Sequence, residues 1–177
     1  MQLKEPEKLK NIQLLLLDVD GVLTDGRIIY SDAGSQIKEF NVRDGLGIKL
    51  VMAAGIKVGI VTGRKSDALH HRCRDLGIRY LYEGVRHKGQ LLERIIEQTG
   101  VDADQTAFVA DDIPDLGLMG RIGLSIAVAD AHELVKKYAD WITSAAGGCG
   151  AVREVCEALL KARGSWEQIL ADVDCVD

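Results

Sequence analysis

The stretch Leu14-Leu15-Leu16-Leu17-Asp18-Val19-Asp20-Gly21 decides the fold. Four consecutive leucines closed by an acidic, glycine-ended turn read as a strand buried on both faces, the kind found in parallel sheets. Two runs downstream have the same form. Lys57–Val61 (KVGIV) ends in Thr62-Gly63-Arg64, and Thr106–Ala110 (TAFVA) ends in Asp111-Asp112. Arg79–Tyr82 and Leu124–Val128 predict shorter strands of the same sheet. Between them lie helical stretches with polar starts and glycine stops: Gly45–Ala54 behind Asp44, Ser66–Leu76 before Gly77, and Lys88–Thr99 before Gly100. Ile113–Arg121, Ala131–Tyr138 and Ala151–Arg163 continue the series. Strand–helix alternation predicts an α/β fold, a Rossmann-like open parallel sheet with helices on both faces.

One segment breaks the alternation. Gly26–Val42 carries two strand-like stretches around Ser31-Asp32-Ala33-Gly34, which predicts a β-hairpin inserted after the first strand. Its Ile28, Ile29, Tyr30, Ile37 and Phe40 are hard to bury within one small domain. The length of 177 residues fits a single domain spanning 1–177, with a short, weakly patterned tail at about 164–177.

Composition excludes several functions. Apolar residues make up 47% and charged residues 28%, so disorder is not the main state. A net charge of −5 argues against a nucleic-acid partner. No window approaches the roughly 18 apolar residues of a membrane span. Residues 1–11 are charged and lack the apolar centre of a signal peptide, so the expected compartment is the cytoplasm. Cys73, Cys149, Cys156 and Cys175 form no CxxC pair and no zinc spacing, and reduced thiols are expected. His70, His71, His87 and His132 also lack metal spacing and read as surface residues.

In an open parallel sheet the ligand site lies beyond the carboxyl ends of the strands. The polar residues gather at those ends: Asp18 and Asp20 after the first strand, Thr62 after the second, Lys88 opening the helix after the third, and Asp111, Asp112 and Asp115 after the fourth. Converging carboxylates repel unless a cation sits among them, and a hard divalent ion with oxygen ligands is the natural remedy. The set points to Mg2+ and a phosphate, with Lys88, the Thr62 hydroxyl and backbone N–H groups of the Asp20-Gly21-Val22 turn as phosphoryl donors. One aspartate could attack phosphorus, and the other, two residues on, could protonate the leaving oxygen and then activate water. Each signal alone reads as an ordinary turn, cap or surface residue. Their order along the chain, all at strand ends, is what carries the reading. A phosphoacceptor receiver domain uses the same residue types, but its acidic pair follows the first strand and its acceptor comes later. The order here opposes that signalling module.

The succession DVDGVLTDG, TGR, Lys88 and DDIPD resembles the haloacid dehalogenase superfamily of phosphatases. The runs FNVRDGLGIK, VTGRKS, RCRDLGI, LSIAVADAH, YADWIT and GGCGAVREVCE narrow the resemblance to its capless branch, across roughly Gln13–Leu160. That resemblance implies a β-hairpin in place of a cap domain, and a homotetramer whose hairpins associate and whose neighbours help close each site. It implies hydrolysis of the 8-phosphate of an eight-carbon sugar acid made for lipopolysaccharide. It implies Asp18 as nucleophile, Asp20 as general acid–base, and Thr62 and Lys88 as the phosphoryl-binding pair. Mg2+ would be held by Asp18, the Asp20 carbonyl and Asp111, with Asp112 and Asp115 in support. Asn41, Val42, Arg43, Asp44 and Gly45, with Arg64 and Arg72, match the region that contacts the sugar acid, for which guanidinium forks suit a carboxylate.

The chain departs from the family pattern at three points. Ala110 stands where a glycine is usual, Cys149 stands for the arginine of GGRGAVRE, and Lys49 stands for a frequent arginine. Arg153 is a candidate to serve for the arginine missing at Cys149. The alternative substrates are nine-carbon sugar acid 9-phosphates; relatives acting on these can carry an acidic residue where Arg64 stands. A catalytically silent regulatory domain is the remaining alternative, opposed by the intact Asp18, Asp20, Thr62, Lys88 and Asp111.

Overall fold

A computed structural model describes residues 7–173. In chain order its strands are β1 Leu14–Leu17, β2 Ile29–Tyr30, β3 Gln36–Ile37, β4 Lys57–Val61, β5 Tyr80–Tyr82, β6 Thr106–Ala110, β7 Leu124–Ala127 and β8 Trp141–Ile142. Its α-helices are α1 Lys8–Asn11, α2 Val42–Ala53, α3 Asp67–Leu76, α4 Leu92–Thr99, α5 Leu116–Met119, α6 Glu133–Tyr138, α7 Ala151–Ala162 and α8 Trp166–Val173. Six strands form a parallel sheet in the order β5-β4-β1-β6-β7-β8, with helices covering both faces. The chain runs outward from β1 through β4 to β5, then returns to β6 on the other side of β1. That return makes the carboxyl end of β1 the place where strand order reverses.

All four leucines of β1 are fully buried, as are all five residues of β6. A continuous apolar run is what a central parallel strand requires, since both its faces are covered. Each such leucine contributes about 1.5–3 kcal/mol on burial. The register places Leu17 beside Ile60 of β4 and Val109 of β6. Asp18 therefore emerges level with the last residues of both neighbours, and its N–H donates to the Val109 carbonyl at 3.1 Å.

Several boundaries differ from the sequence expectation. The start of α2 is capped by Asn41, whose side chain accepts the Arg43 N–H at 2.8 Å, and not by Asp44. Asp44 lies inside the first turn and points inward, where its Oδ1 accepts the Arg153 N–H at 2.7 Å. The first turn of Lys88–Thr99 is a 3-10 helix, Lys88–Leu91, which leads into α4. The stretch after β6 is likewise a 3-10 turn, Ile113–Asp115, followed by α5. His132 caps α6 by accepting the Leu134 N–H on Nδ1 at 3.1 Å. The edge strand β8 has no counterpart in the expected elements. The tail is helical as α8, with the Trp166 ring 5.1 Å from the Lys161 ammonium.

β2 and β3 pair as an antiparallel hairpin, with Ile29 opposite Ile37. Ile28, Ile29, Tyr30 and Ile37 are exposed by 39%, 42%, 64% and 51%. Phe40 behaves otherwise: it packs against the core and lies under the Arg72 guanidinium at 5.6 Å. Cys73, Cys149 and Cys156 are free thiols, as expected, and Cys175 lies outside the described residues. Among the described residues no helix is long and apolar enough to cross a membrane.

Candidate active site

Beyond the carboxyl ends of β1, β4 and β6 lies a cleft of about 320 Å³, lined by Asp18, Asp20, Thr62, Arg64, Lys88, Asp111, Asp112 and Asp115 together with Gly63, Val85 and Pro114. A larger hollow of about 500 Å³ sits at the amino ends of β4 and β5 and carries no carboxylate. The smaller cleft is where the chemistry gathers.

Lys88 is the hub. It is nearly enclosed, and its ammonium bonds Asp18 Oδ1 at 2.7 Å and pairs with Asp115 Oδ1 at 2.5 Å. The Phe108 ring lies 5.5 Å away and closes the apolar side. Burial alone would push the lysine pKa down, but the two carboxylates outweigh it and raise it. Lys88 is therefore a fixed cation. Asp115 also receives the N–H groups of Asp111 and Asp112 at 3.3 and 3.4 Å, so it fastens the loop after β6 to Lys88. Asp112 is turned to its own backbone and caps the 3-10 turn, accepting the Ile113 N–H at 2.8 Å.

Oxygens of Asp18, Asp111 and Asp115 lie within 4.8 Å of one another. Burial and the neighbouring Asp18 and Asp115 charges push the Asp111 carboxyl up to about 8. Burial also raises Asp18, to about 6, against the pull of Lys88. Asp111 Oδ1 is buried without a hydrogen-bond partner. Repelling carboxylates with an orphaned oxygen fit a hard divalent cation: Mg2+ takes one or two carboxylates plus oxygens of water and phosphate. Asp18 and Asp111 are the pair left for it, since Asp115 is held by Lys88 and the loop.

Gly21 sets the approach of the two loops. Its φ of +98° lies in the left-handed region, and a Cβ there would run into the Asp111 carboxylate. The turn differs from expectation in its donors. The Gly21 N–H donates to Thr24 Oγ1 at 3.4 Å and the Val22 N–H to the Val19 carbonyl at 3.3 Å, so both point into the turn.

Asp20 stands at the mouth between two cations. Arg64 Nε lies 3.8 Å from its Oδ2, and the guanidinium remains about half exposed. The Lys38 ammonium bonds its Oδ1. Sequence reasoning missed Lys38, because a lysine beside exposed hairpin residues reads as a solvated charge. The alternation of the strand held the signal, since Ile37 faces outward and its neighbour must face in.

The structure leaves the remaining expected substrate contacts outside the cleft within one chain. Asn41 caps α2 and donates to the Gly148 carbonyl at 3.1 Å. Val42 and Arg43 are exposed on the first turn of α2. Asp44 is buried against the start of α7. Gly45 makes room for Arg72, whose Nη2 donates to the Asn41 carbonyl at 3.0 Å. Cys149 is exposed beside Asn41 in a separate hollow of about 290 Å³. Arg153 does not replace the missing arginine in the cleft: its Nε bonds Glu157 at 2.7 Å and its guanidinium lies over Trp166. Ala110 is fully buried, so the core accommodates its methyl group. His70 lies at the surface, its side chain 44% exposed, with Nε2 2.9 Å from Glu83.

Comparison with known proteins agrees with this geometry. A family model for haloacid dehalogenase-like hydrolases matches residues 81–154. The chain is 47% identical over 161 residues to the 3-deoxy-D-manno-octulosonate 8-phosphate phosphatase of Escherichia coli K12, covering 91% of this chain and 86% of that one. The crystal structure of the Moraxella catarrhalis 3-deoxy-D-manno-octulosonate 8-phosphate phosphatase, in complex with magnesium, phosphate and KDO, superposes with a TM-score of 0.92 at 38% identity, covering 95% and 97% of the two chains. The cobalt-bound form of the deoxy-D-mannose-octulosonate 8-phosphate phosphatase from Haemophilus influenzae gives a TM-score of 0.87 at 45% identity, covering 90% and 93%.

Proposed function

We propose, on the premise that the chain belongs to the 3-deoxy-D-manno-octulosonate 8-phosphate phosphatases among the haloacid dehalogenase-like hydrolases, that it hydrolyses this eight-carbon sugar acid phosphate to the free sugar acid and phosphate. The product serves as a lipopolysaccharide precursor. The observation that carries the reading is the Lys88 hub, whose ammonium bonds Asp18 in a cleft that Thr62, Arg64 and Asp111 also line.

The geometry supports the following roles. Asp18 attacks phosphorus and forms an aspartyl-phosphate, while Lys88 and Thr62 hold phosphoryl oxygens. Asp20, two residues along and at the mouth, gives a proton to the leaving sugar oxygen. It then takes one from the water that cleaves the acyl phosphate, which releases phosphate and returns Asp18. Mg2+, held by Asp18, Asp111 and the Asp20 carbonyl, neutralises charge on the phosphoryl group when bound. Asp115 keeps Lys88 in place, and Asp112 shapes the loop that carries Asp111. Arg64 is half exposed in the lining of the cleft mouth, which supports a role in receiving the sugar carboxylate.

One chain leaves the rim open. The exposed hairpin and the adjoining Val42 and Leu46 of α2 form an apolar surface that supports a homotetramer, in which a neighbour brings Asn41, Val42, Arg43 and Arg72 toward the sugar acid. Free thiols, one of them exposed, support a cytoplasmic setting. Side-by-side turnover on eight- and nine-carbon sugar acid phosphates tests the reading. Preference for the eight-carbon ester is expected, and preference for a nine-carbon ester would overturn the substrate assignment.

A further inference from the structure

Lys38 follows β3 of the hairpin, and its side chain is only 3% exposed. A lysine so enclosed needs a counter-charge, because desolvating an unpaired ammonium is costly. The partner is Asp20, bonded through Oδ1. The same carboxylate has Arg64 Nε at 3.8 Å from Oδ2. Two cations thus bracket one carboxylate, one arriving from the hairpin and the other from the loop after β4.

The two cations differ in what they can reach. Arg64 lines the cleft and is about half exposed. Lys38 is absent from the cleft lining, and its enclosed ammonium bonds Asp20. Its ammonium is engaged by the Asp20 carboxylate, so the route by which it would influence the reaction runs through that carboxylate. An aspartate in a turn has several staggered orientations open to it. A bond to Oδ1 selects one of them and leaves Oδ2 on the side of Arg64.

We propose that Lys38 is a positioning residue for the reaction: its ammonium fixes the Asp20 carboxylate in the orientation for proton transfer at the leaving oxygen, and thereby fastens the hairpin to the chemistry. The inference rests on Asp20 being the acid–base group.

The experiment is a double-mutant cycle. Lys38→Met keeps most of the apolar stem and removes the ammonium. A displacement of about 1 Å in a catalytic group costs on the order of 100-fold, so kcat should fall by roughly 10- to 100-fold, with KM within about threefold. In an Asp20→Asn background the same change should alter turnover by less than about twofold, because no carboxylate is left to aim. Lys38→Arg, which keeps a cation, should retain more kcat than Lys38→Met. Should Lys38→Met not fold by thermal melt, Lys38→Gln takes its place in the cycle, with the same expected loss. Unchanged kcat, a rise confined to KM, or an undiminished further loss in the Asp20→Asn background would each overturn the proposal. The cycle is run on both the eight-carbon sugar acid phosphate and p-nitrophenyl phosphate. If the wild-type chain turns over only the latter, the substrate reading fails while the cycle still decides the role of Lys38.

Discussion

The cleft at the sheet ends and the rim formed by the hairpin and the start of α2 are built in opposite ways. In the cleft each cation is paired within the same chain, Lys88 with Asp18 and Asp115, and Arg64 with Asp20, which also bonds Lys38, while Asp111 is left with an unpartnered oxygen. Its supports are the most buried strands of the molecule. The rim has two-residue strands, and four apolar side chains that the described residues leave 39–64% exposed. A two-stranded hairpin of that size is marginal by itself. The difference supports a division in which one chain carries the phosphoryl chemistry while, on the proposed assembly, choice among phosphate esters falls to a rim completed by a second chain.

The largest expected effects fall on the cleft. Asp18→Asn keeps the shape of the side chain and removes the attacking charge and a metal ligand. Hydrolysis of any phosphate ester should drop on the order of 10³-fold or more with the melting temperature little changed. Retention of more than a few per cent of activity in a steady-state assay would show that the cleft does not work as described. Next comes the metal. EDTA should abolish turnover of the sugar acid phosphate and of p-nitrophenyl phosphate alike, and Mg2+ should restore both, because the ion serves the phosphoryl group that they share. Full turnover in chelator would mean that Asp18 and Asp111 reach a working charge state without it.

The same contrast governs what the sequence revealed. β1, β4 and β6 were legible to the residue, because a strand buried on both faces leaves an unbroken apolar run. The cleft residues were legible because they follow those runs at once. Legibility fell away where a residue's role depends on distant partners. Asp44 reads as a cap, yet it turns inward because the N–H of Arg153, over a hundred positions away, lacks an acceptor at the start of α7. Lys38 reads as a solvated charge, yet it is enclosed because Asp20 lies behind the hairpin. Trp141–Ile142 is too short for a periodic signal and becomes a strand only by pairing with β7.

Arg64 lies where cleft and rim meet, and its substitution sharpens the boundary between them. Its Nε lies 3.8 Å from Asp20 while about half of the side chain stays exposed, so the guanidinium fork keeps donors that can receive a carboxylate from the substrate. Losing a charged hydrogen bond costs on the order of 1.5–3 kcal/mol, so Arg64→Ala should lower kcat/KM on the eight-carbon ester by about 10- to 150-fold, with less than about threefold loss on p-nitrophenyl phosphate. Equal losses on both substrates, measured side by side, would assign Arg64 to the phosphate or to Asp20 and not to the sugar acid.

The smallest effect on chemistry, and the most direct break of the comparison, comes from the hairpin itself. Ile29 and Ile37 face each other across the two strands, exposed by 42% and 51%. Replacing them together, Ile29→Lys with Ile37→Glu, sets opposite charges side by side. Such a cross-strand pair contributes roughly 0.2–1 kcal/mol and keeps the hairpin closed. The same charges would lie in the middle of an apolar interface, where desolvation opposes them. Light scattering at micromolar concentration should therefore show four times the 19.3 kDa chain mass for the wild type and a smaller particle for the double variant. Hydrolysis of p-nitrophenyl phosphate should stay within about threefold, since the cleft is complete in one chain, while kcat/KM on the sugar acid phosphate should fall further as the neighbour's side of the rim is lost. A tetramer that survives both charges would place the interface elsewhere. A dissociated chain with undiminished preference for the sugar acid phosphate would show that the cleft, and not the rim, holds the specificity.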